Sequence, residues 1–186
     1  MDLSQWVLSQ FDDTVERLRA QVLDLVPPER RREQPGGGNS ILWGCFHLAR
    51  HADLALAVVA AEEPAPPAGR LALGPVAATG GNGLQEAEPS WAGALPPEGV
   101  DTYLGAVVAR VRQFLSAAVP SRLELVPDVQ PRLTGANIDA GDFAWLYKMW
   151  QGQPVAFFAR WPLIGHIANH TGEMIATRDR MGLSPF

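Results

Sequence analysis

An all-α four-helix bundle is the fold class that this sequence predicts, and three observations predict it. Several long stretches place apolar residues every three or four positions and are bounded by proline and glycine. No segment alternates apolar and polar residues with the period of two that marks a half-buried strand. Four helical stretches joined by two long connections describe a bundle in which neighbours in sequence need not be neighbours in space.

The first stretch, 1–26, sets Leu3, Val7, Phe11, Val15, Leu18, Val22 and Leu25 on one face, and Pro27 and Pro28 end it. Residues 29–33, Glu-Arg-Arg-Arg-Glu, read as a solvated connector whose acids offset much of its basic charge, and Gly36, Gly37 and Gly38 complete a loop. Asn39 or Ser40 supplies an N-cap for a second helix over about 40–62, which Pro64 stops. Residues 64–99 contain 7 Pro and 7 Gly and keep no period, which suits a long crossover between helices two and three. Trp91, alone in that stretch, reads as a packing residue that could tie it to the body.

Asp101 is expected to cap the third helix, whose buried stripe is Tyr103, Leu104, Val107, Val108, Val111, Phe114 and Leu115, with Pro120 closing it. An irregular stretch, 120–139, leads to an aromatic segment of Phe143, Trp145, Leu146, Tyr147 and Trp150. The last helix begins between Ala156 and Pro162 and runs to Met181, with Gly182 terminating it and Pro162 either in its first turn or at a kink. Arg178 and Arg180 complement the dipole at its end and need no further role.

Composition bounds the function. A chain of 186 residues, 47% apolar and 19% charged, fits a single globular domain over 1–186. Fifteen basic against twenty acidic residues offer no electrostatic case for nucleic acid. One cysteine, Cys45, makes no internal disulfide, no apolar run approaches the length of a membrane span, and the opening MDLSQW lacks the basic start of a signal peptide. The expectation is a cytoplasmic protein with no membrane partner. Apolar residues on more than one helix face allow a homodimer.

The chemistry lies in the four histidines. His47 and His51 share the second helix and His166 and His170 the last, each pair at i and i+4, so both rings of a pair project from one face. One such pair is weak evidence of a metal site, because a histidine on an apolar face is usually a hydrogen-bonded core residue. Placing the whole complement in two pairs on two helices makes convergence inside a bundle the stronger reading. Three neutral imidazoles would hold a divalent ion and leave a position open, and imidazole suits zinc, nickel, iron and copper alike. Cys45, two residues before His47, falls on another face and reads as a small buried hydrophobe. Glu173, on the His166 and His170 stripe, orients a ligand imidazole or moves a proton, unless it is a surface acid paired with a neighbouring base. Arg160 and Tyr147 are candidates to line an entrance.

The segment Ser40-Ile-Leu-Trp-Gly-Cys-Phe-His-Leu-Ala-Arg-His-Ala-Asp53, with Gly165-His-Ile-Ala-Asn-His-Thr-Gly-Glu173, resembles the DinB-like superfamily. Its relatives include thiol-dependent S-transferases and mycothiol-dependent maleylpyruvate isomerases. The family pattern has a His-Leu step in helix two, matched by His47-Leu48. It then has HxxxH followed by Gly-Gln or Gly-Glu in the last helix, matched by His166, His170 and Gly172-Glu173. Thr171 stands where many relatives carry Arg. The resemblance implies an up-down-down-up four-helix bundle, with the Pro/Gly-rich crossover between helices two and three and with His47, His166 and His170 as metal ligands. His51 is then an additional ligand, a pocket base or a packing residue, with pocket lining favoured.

The function expected on this resemblance is a divalent-metal-dependent enzyme, a thiol-dependent (mycothiol-type) S-transferase or isomerase. Zinc is the first choice, ahead of nickel or iron. Its partners would be a low-molecular-weight thiol and a small-molecule electrophile, with Glu173 and His51 as the acid–base candidates. A hydrolase that activates water on the same three histidines is the alternative, as is a non-catalytic metal-binding or stress-related bundle. The richness in Ala, Gly and Pro is associated with high-GC bacteria, which favours mycothiol as the thiol.

Overall fold

The structure is a computed structural model and describes residues 2–60, 83–117 and 120–186. It is all-helical, with no strand among the described residues. Its α-helices are α1 (Leu3–Leu18), α2 (Ile41–Val59), α3 (Pro97–Ser116), α4 (Pro120–Leu123), α5 (Val129–Gly135), α6 (Ala144–Trp150), α7 (Val155–Arg160) and α8 (His166–Arg180). Pro64 and much of the crossover, residues 64–82, lie outside the described residues.

The predicted first helix is built in two parts. Asp2 opens α1 with a reciprocal cap, its side chain accepting from Gln5 N while Gln5 caps Asp2 N. After Leu18 the helix widens over Arg19–Leu23, where Asp24 N donates to Arg19 O, five residues back. Val7, Phe11, Leu18 and Val22 are buried as their spacing predicts, whereas Leu3 is exposed.

Ser40, rather than Asn39, caps α2: its hydroxyl accepts from Trp43 N at 3.1 Å. Every residue from Ile41 to Val58 except Arg50 is buried, so α2 is the interior helix of the molecule. It packs against α3 and α8, and α1 packs against the same two. Gly44 makes the α2–α8 approach feasible, since a Cβ there would lie 2.8 Å from Met174 Sδ. The predicted stripe of α3 is buried apart from the half-buried Val108.

Four expectations need correction. The stretch 120–139 is not irregular throughout, since α4 and α5 lie within it. Asp101 does not cap α3, which starts four residues earlier at Pro97; proline suits a first turn because its missing N–H has no partner to lose. Asp101 instead accepts both Nη1 bonds of Arg31, at 2.7 and 2.8 Å. Residues 29–33 are therefore not a solvated connector. Arg31 is buried and also donates to Leu23 O and Val26 O, while Arg32 donates to Gly93 O and Leu95 O. Arg30 and Glu33 do pair with each other at the surface. Arg178, too, is more than a dipole partner: it is buried, donates to Gln21 O and pairs with Asp179, tying the end of α8 to the widened turn after α1.

The last helix divides as well. Between α7 and α8 the chain takes another wide turn, Trp161–Gly165, and His166 N donates five residues back to Trp161 O. Pro162 sits inside this turn and marks the break. Gly182, at φ 74°, follows the last helical turn as expected.

Asp53 anchors α2 to α3 and is fully buried. Its carboxylate accepts from Tyr103 Oη at 2.8 Å, Arg110 Nη1 at 2.8 Å and Arg50 Nη1 at 3.1 Å. Burial pushes the Tyr103 hydroxyl pKa well up, so it stays a donor. Removing the acid that two guanidiniums share is far costlier than losing a surface pair. Asp53→Ala is expected to lower unfolding stability by about 3–5 kcal/mol, read from the denaturant midpoint. A loss below about 1 kcal/mol, the size of an exposed pair, would contradict this account.

Candidate metal centre

The antiparallel register of α2 against α8 brings all four histidines into one buried cluster. His47 lies 4.7 Å from His170 and 5.1 Å from His166 between ring centroids, and His51 lies 4.3 Å from His166. Within each pair the rings are 4.6 Å (His47–His51) and 4.4 Å (His166–His170) apart. One ring nitrogen each of His47, His166 and His170 fall within 4.8 Å of one another.

Hydrogen bonds orient these rings. His47 Nδ1–H donates to the Gly83 carbonyl at 2.8 Å, which turns its Nε2 inward. His170 Nδ1–H donates to Glu173 Oε2 at 2.8 Å, and its Nε2 faces His166 Nε2 at 3.0 Å. Among the described residues, the buried Nε2 of His47 has no hydrogen-bond partner. A zinc ion at about 2.0–2.1 Å from three imidazole nitrogens in tetrahedral geometry would set them about 3.3 Å apart, so a small closing movement suffices. The residues present fit a divalent ion.

Burial dominates the electrostatics. It holds His47 down to about 4, aided by the neighbouring His170, and the Gly83 hydrogen bond offsets only part of that. It holds His51 down to about 3, with His47 second. His166 is pushed down further still, by burial first and then by His51, His170 and His47. These rings are neutral at ordinary pH, the protonation state a metal requires.

No family model, curated protein or solved structure matches this chain. The site is therefore read from its own geometry.

His51 stands beside the three-nitrogen group rather than in it: it hydrogen-bonds the Leu84 backbone, and its Nε2 is buried without a partner among the described residues. Glu173 has a side chain 54% exposed and one oxygen on the buried imidazole of His170. Two cavities flank the cluster, with no lining residue in common. A larger one, about 250 Å³, touches His47 and His170 and includes Trp43, Asn39, Glu173 and Arg180 in its wall. A smaller one, about 50 Å³, touches His51 and His166 from the opposite side. Tyr147 and Arg160 line neither; the Tyr147 hydroxyl donates to Ile138 O.

Several contributors escaped the sequence reading. Gly83 is one: at φ 69°, any Cβ there would sit 2.6 Å from Phe46 Cε1 and push the carbonyl off His47. Nothing in the Pro/Gly-rich stretch singled it out. Trp43 had a signal, being four residues before His47 and so on the same face. Trp91 packs edge-on against Trp43 and Phe46, at 5.4 and 5.9 Å, and ties the segment that follows Gly83 to α2.

Cys45 is a packing residue, buried against Met174 Sδ at 3.8 Å, and burial pushes its thiol up to about 12. At pH 8 an aromatic disulfide reagent should label it about 1,000-fold more slowly in native protein than in denaturant, following the lost thiolate fraction. Prompt stoichiometric labelling of native protein would refute this placement.

Proposed function

We propose that this chain is a divalent-metal-dependent enzyme of the DinB-like type, acting as a thiol-dependent S-transferase or isomerase. The observation that carries the reading is the convergence of His47, His166 and His170, with the partnerless Nε2 of His47 turned toward the other two. An up-down-down-up arrangement of the four long helices belongs to the proposal and has support in paired contacts. Phe46 meets Tyr103 and Asp53 meets Arg110, a parallel progression of α2 and α3. His47 meets His170 and His51 meets His166, an antiparallel one for α2 and α8. Asp12 meets Arg112, while Leu23, through Arg31, meets Asp101, so α1 opposes α3.

His47, His166 and His170 would hold the ion, with zinc first and nickel or iron as substitutes. The chemistry such an ion supplies is stabilisation of a thiolate at a pH below the free thiol value of about 8.5. The remaining work falls to side chains. Gly83 and Glu173 fix the orientation of two imidazoles through their Nδ1 hydrogens. The 250 Å³ cavity reaches both of those rings and has Arg180 in its wall, a fork of N–H donors suited to the hydroxyl and amide oxygens of a low-molecular-weight thiol such as mycothiol. Glu173, half exposed on that wall, is placed to exchange a proton with solvent, and the buried His51 lines the other side. A small electrophile is the second substrate.

Protein reconstituted after chelator-free purification is expected to hold close to one equivalent of zinc. Less than about 0.2 equivalents would overturn the metal-centre reading, because a three-imidazole site should fill. His170→Ala should abolish that stoichiometry, and Glu173→Gln should weaken affinity about 10–100-fold. With a chromogenic electrophile and a panel of thiols, turnover should require the thiol. Turnover without it would replace the transferase reading by metal-activated hydrolysis, and a full site with no turnover of either kind would leave a non-catalytic metal protein.

A further inference from the structure

The small cavity on the far side of the cluster has a character of its own. Its walls include three indoles, Trp145, Trp150 and Trp161, with Met149 beside them. Trp150 is buried, whereas Trp145 is 40% and Trp161 38% exposed, so the rim presents aromatic surface to solvent. Trp145 lies 6.3 Å from the His51 ring and Trp161 lies 6.1 Å, edge-on, from His166. His51 and His166 both line this cavity, and one nitrogen of each, His51 Nε2 and His166 Nδ1, is buried and partnerless among the described residues. Buried polar atoms are ordinarily satisfied, so an unfilled pair beside an open cavity calls for a partner from outside.

We propose that this cavity is a binding site for a neutral phenol-class aromatic, whose hydroxyl enters to donate to His51 Nε2 while its ring lies on Trp145 and Trp161. The size supports this division. An apolar cavity of about 150 Å³ encloses a benzene ring, so 50 Å³ admits a polar tip and leaves the ring on the rim. Indole faces and a neighbouring thioether suit a flat ring by stacking and sulfur contact. The hydroxyl direction follows from His51 itself, since its hydrogen bond to the Leu84 backbone leaves Nε2 with a lone pair. Glu86, which is exposed, also lines the cavity, and a neutral ligand brings no like charge against its carboxylate.

The site goes beyond the metal reading and does not need it, so it is tested first in metal-free protein. Fluorine NMR titration with 4-fluorophenol and 4-fluoroanisole separates the hydroxyl from the ring. The phenol should bind about tenfold more tightly, the worth of one hydrogen bond to an otherwise unsatisfied buried acceptor. His51→Phe should make the two ligands equal, and Trp161→Ala, its retained helical fold checked by circular dichroism, should weaken both. Equal binding of the two ligands to the unaltered protein would overturn the proposal whatever the variants do. So would phenol binding that is unchanged in Trp161→Ala. If the protein fails to take up zinc yet discriminates phenol from anisole, the metal reading falls and this site stands.

Discussion

Burying α2 on every side is the constraint from which the rest of the molecule follows. An interior helix that carries Asp53, His47 and His51 must find each of them a partner, because an unpaired polar group in such surroundings costs several kcal/mol (about 2–7 by transfer measurements). Asp53 finds Tyr103 and two arginines, which commits α2 to α3. His47 finds Gly83 and His51 finds Leu84, which brings the described part of the crossover against the helix. Gly44 finds Met174, which sets how closely α8 approaches. Among the described residues, what these contacts leave unmet is confined to a few nitrogens: the inward Nε2 of His47, the Nε2 of His51, Nδ1 of His166 and the indole Nε1 of Trp43. Leftover polarity in one place is what distinguishes a site from a core.

Arginine does the tying elsewhere. Arg31 and Arg178 are both buried, and both spend hydrogen bonds on backbone carbonyls near the end of the first helix, Leu23 and Val26 for one and Gln21 for the other. The planar fork of the guanidinium suits it to several acceptors at once. Both arginines grip the widened turn at Arg19–Leu23, since Gln21 and Leu23 belong to it. Position in a charged run thus misleads: Arg30 pairs in solvent while its neighbour Arg31 is interior.

The long helices, their apolar faces and the pairing of the histidines were legible because each depends on spacing within one segment, whereas α4 and α5 are too short to show a period. Ser40, the α3 stripe and the Gly182 terminator are local in the same sense. The partners of Arg31 and Arg178, and the carbonyl that orients His47, were not legible, since each is a contact between segments far apart in sequence. The break before α8 was half visible. Buried positions Phe158, Pro162, His166, His170 and Met174 recur every four residues. An unbroken helix turns about 100° per residue, so sixteen residues overshoot four full turns by about 160° and would carry that stripe around the cylinder. The wide turn at Trp161–Gly165 takes up much of the excess, and Pro162 alone suggested a kink without revealing its purpose.

The two cavities share no residue, and what stands between them is a wall of imidazoles packed 4.3 to 5.1 Å from ring to ring. Such a wall is opaque to molecules and transparent to charge. Each chamber has its own lining, with Arg180 in one and Trp145 in the other. Yet His166 touches one chamber while its Nε2 meets His170, which touches the other. A change of charge on one side therefore reaches the second through two rings at most, as a partition that insulates matter and conducts electrostatics.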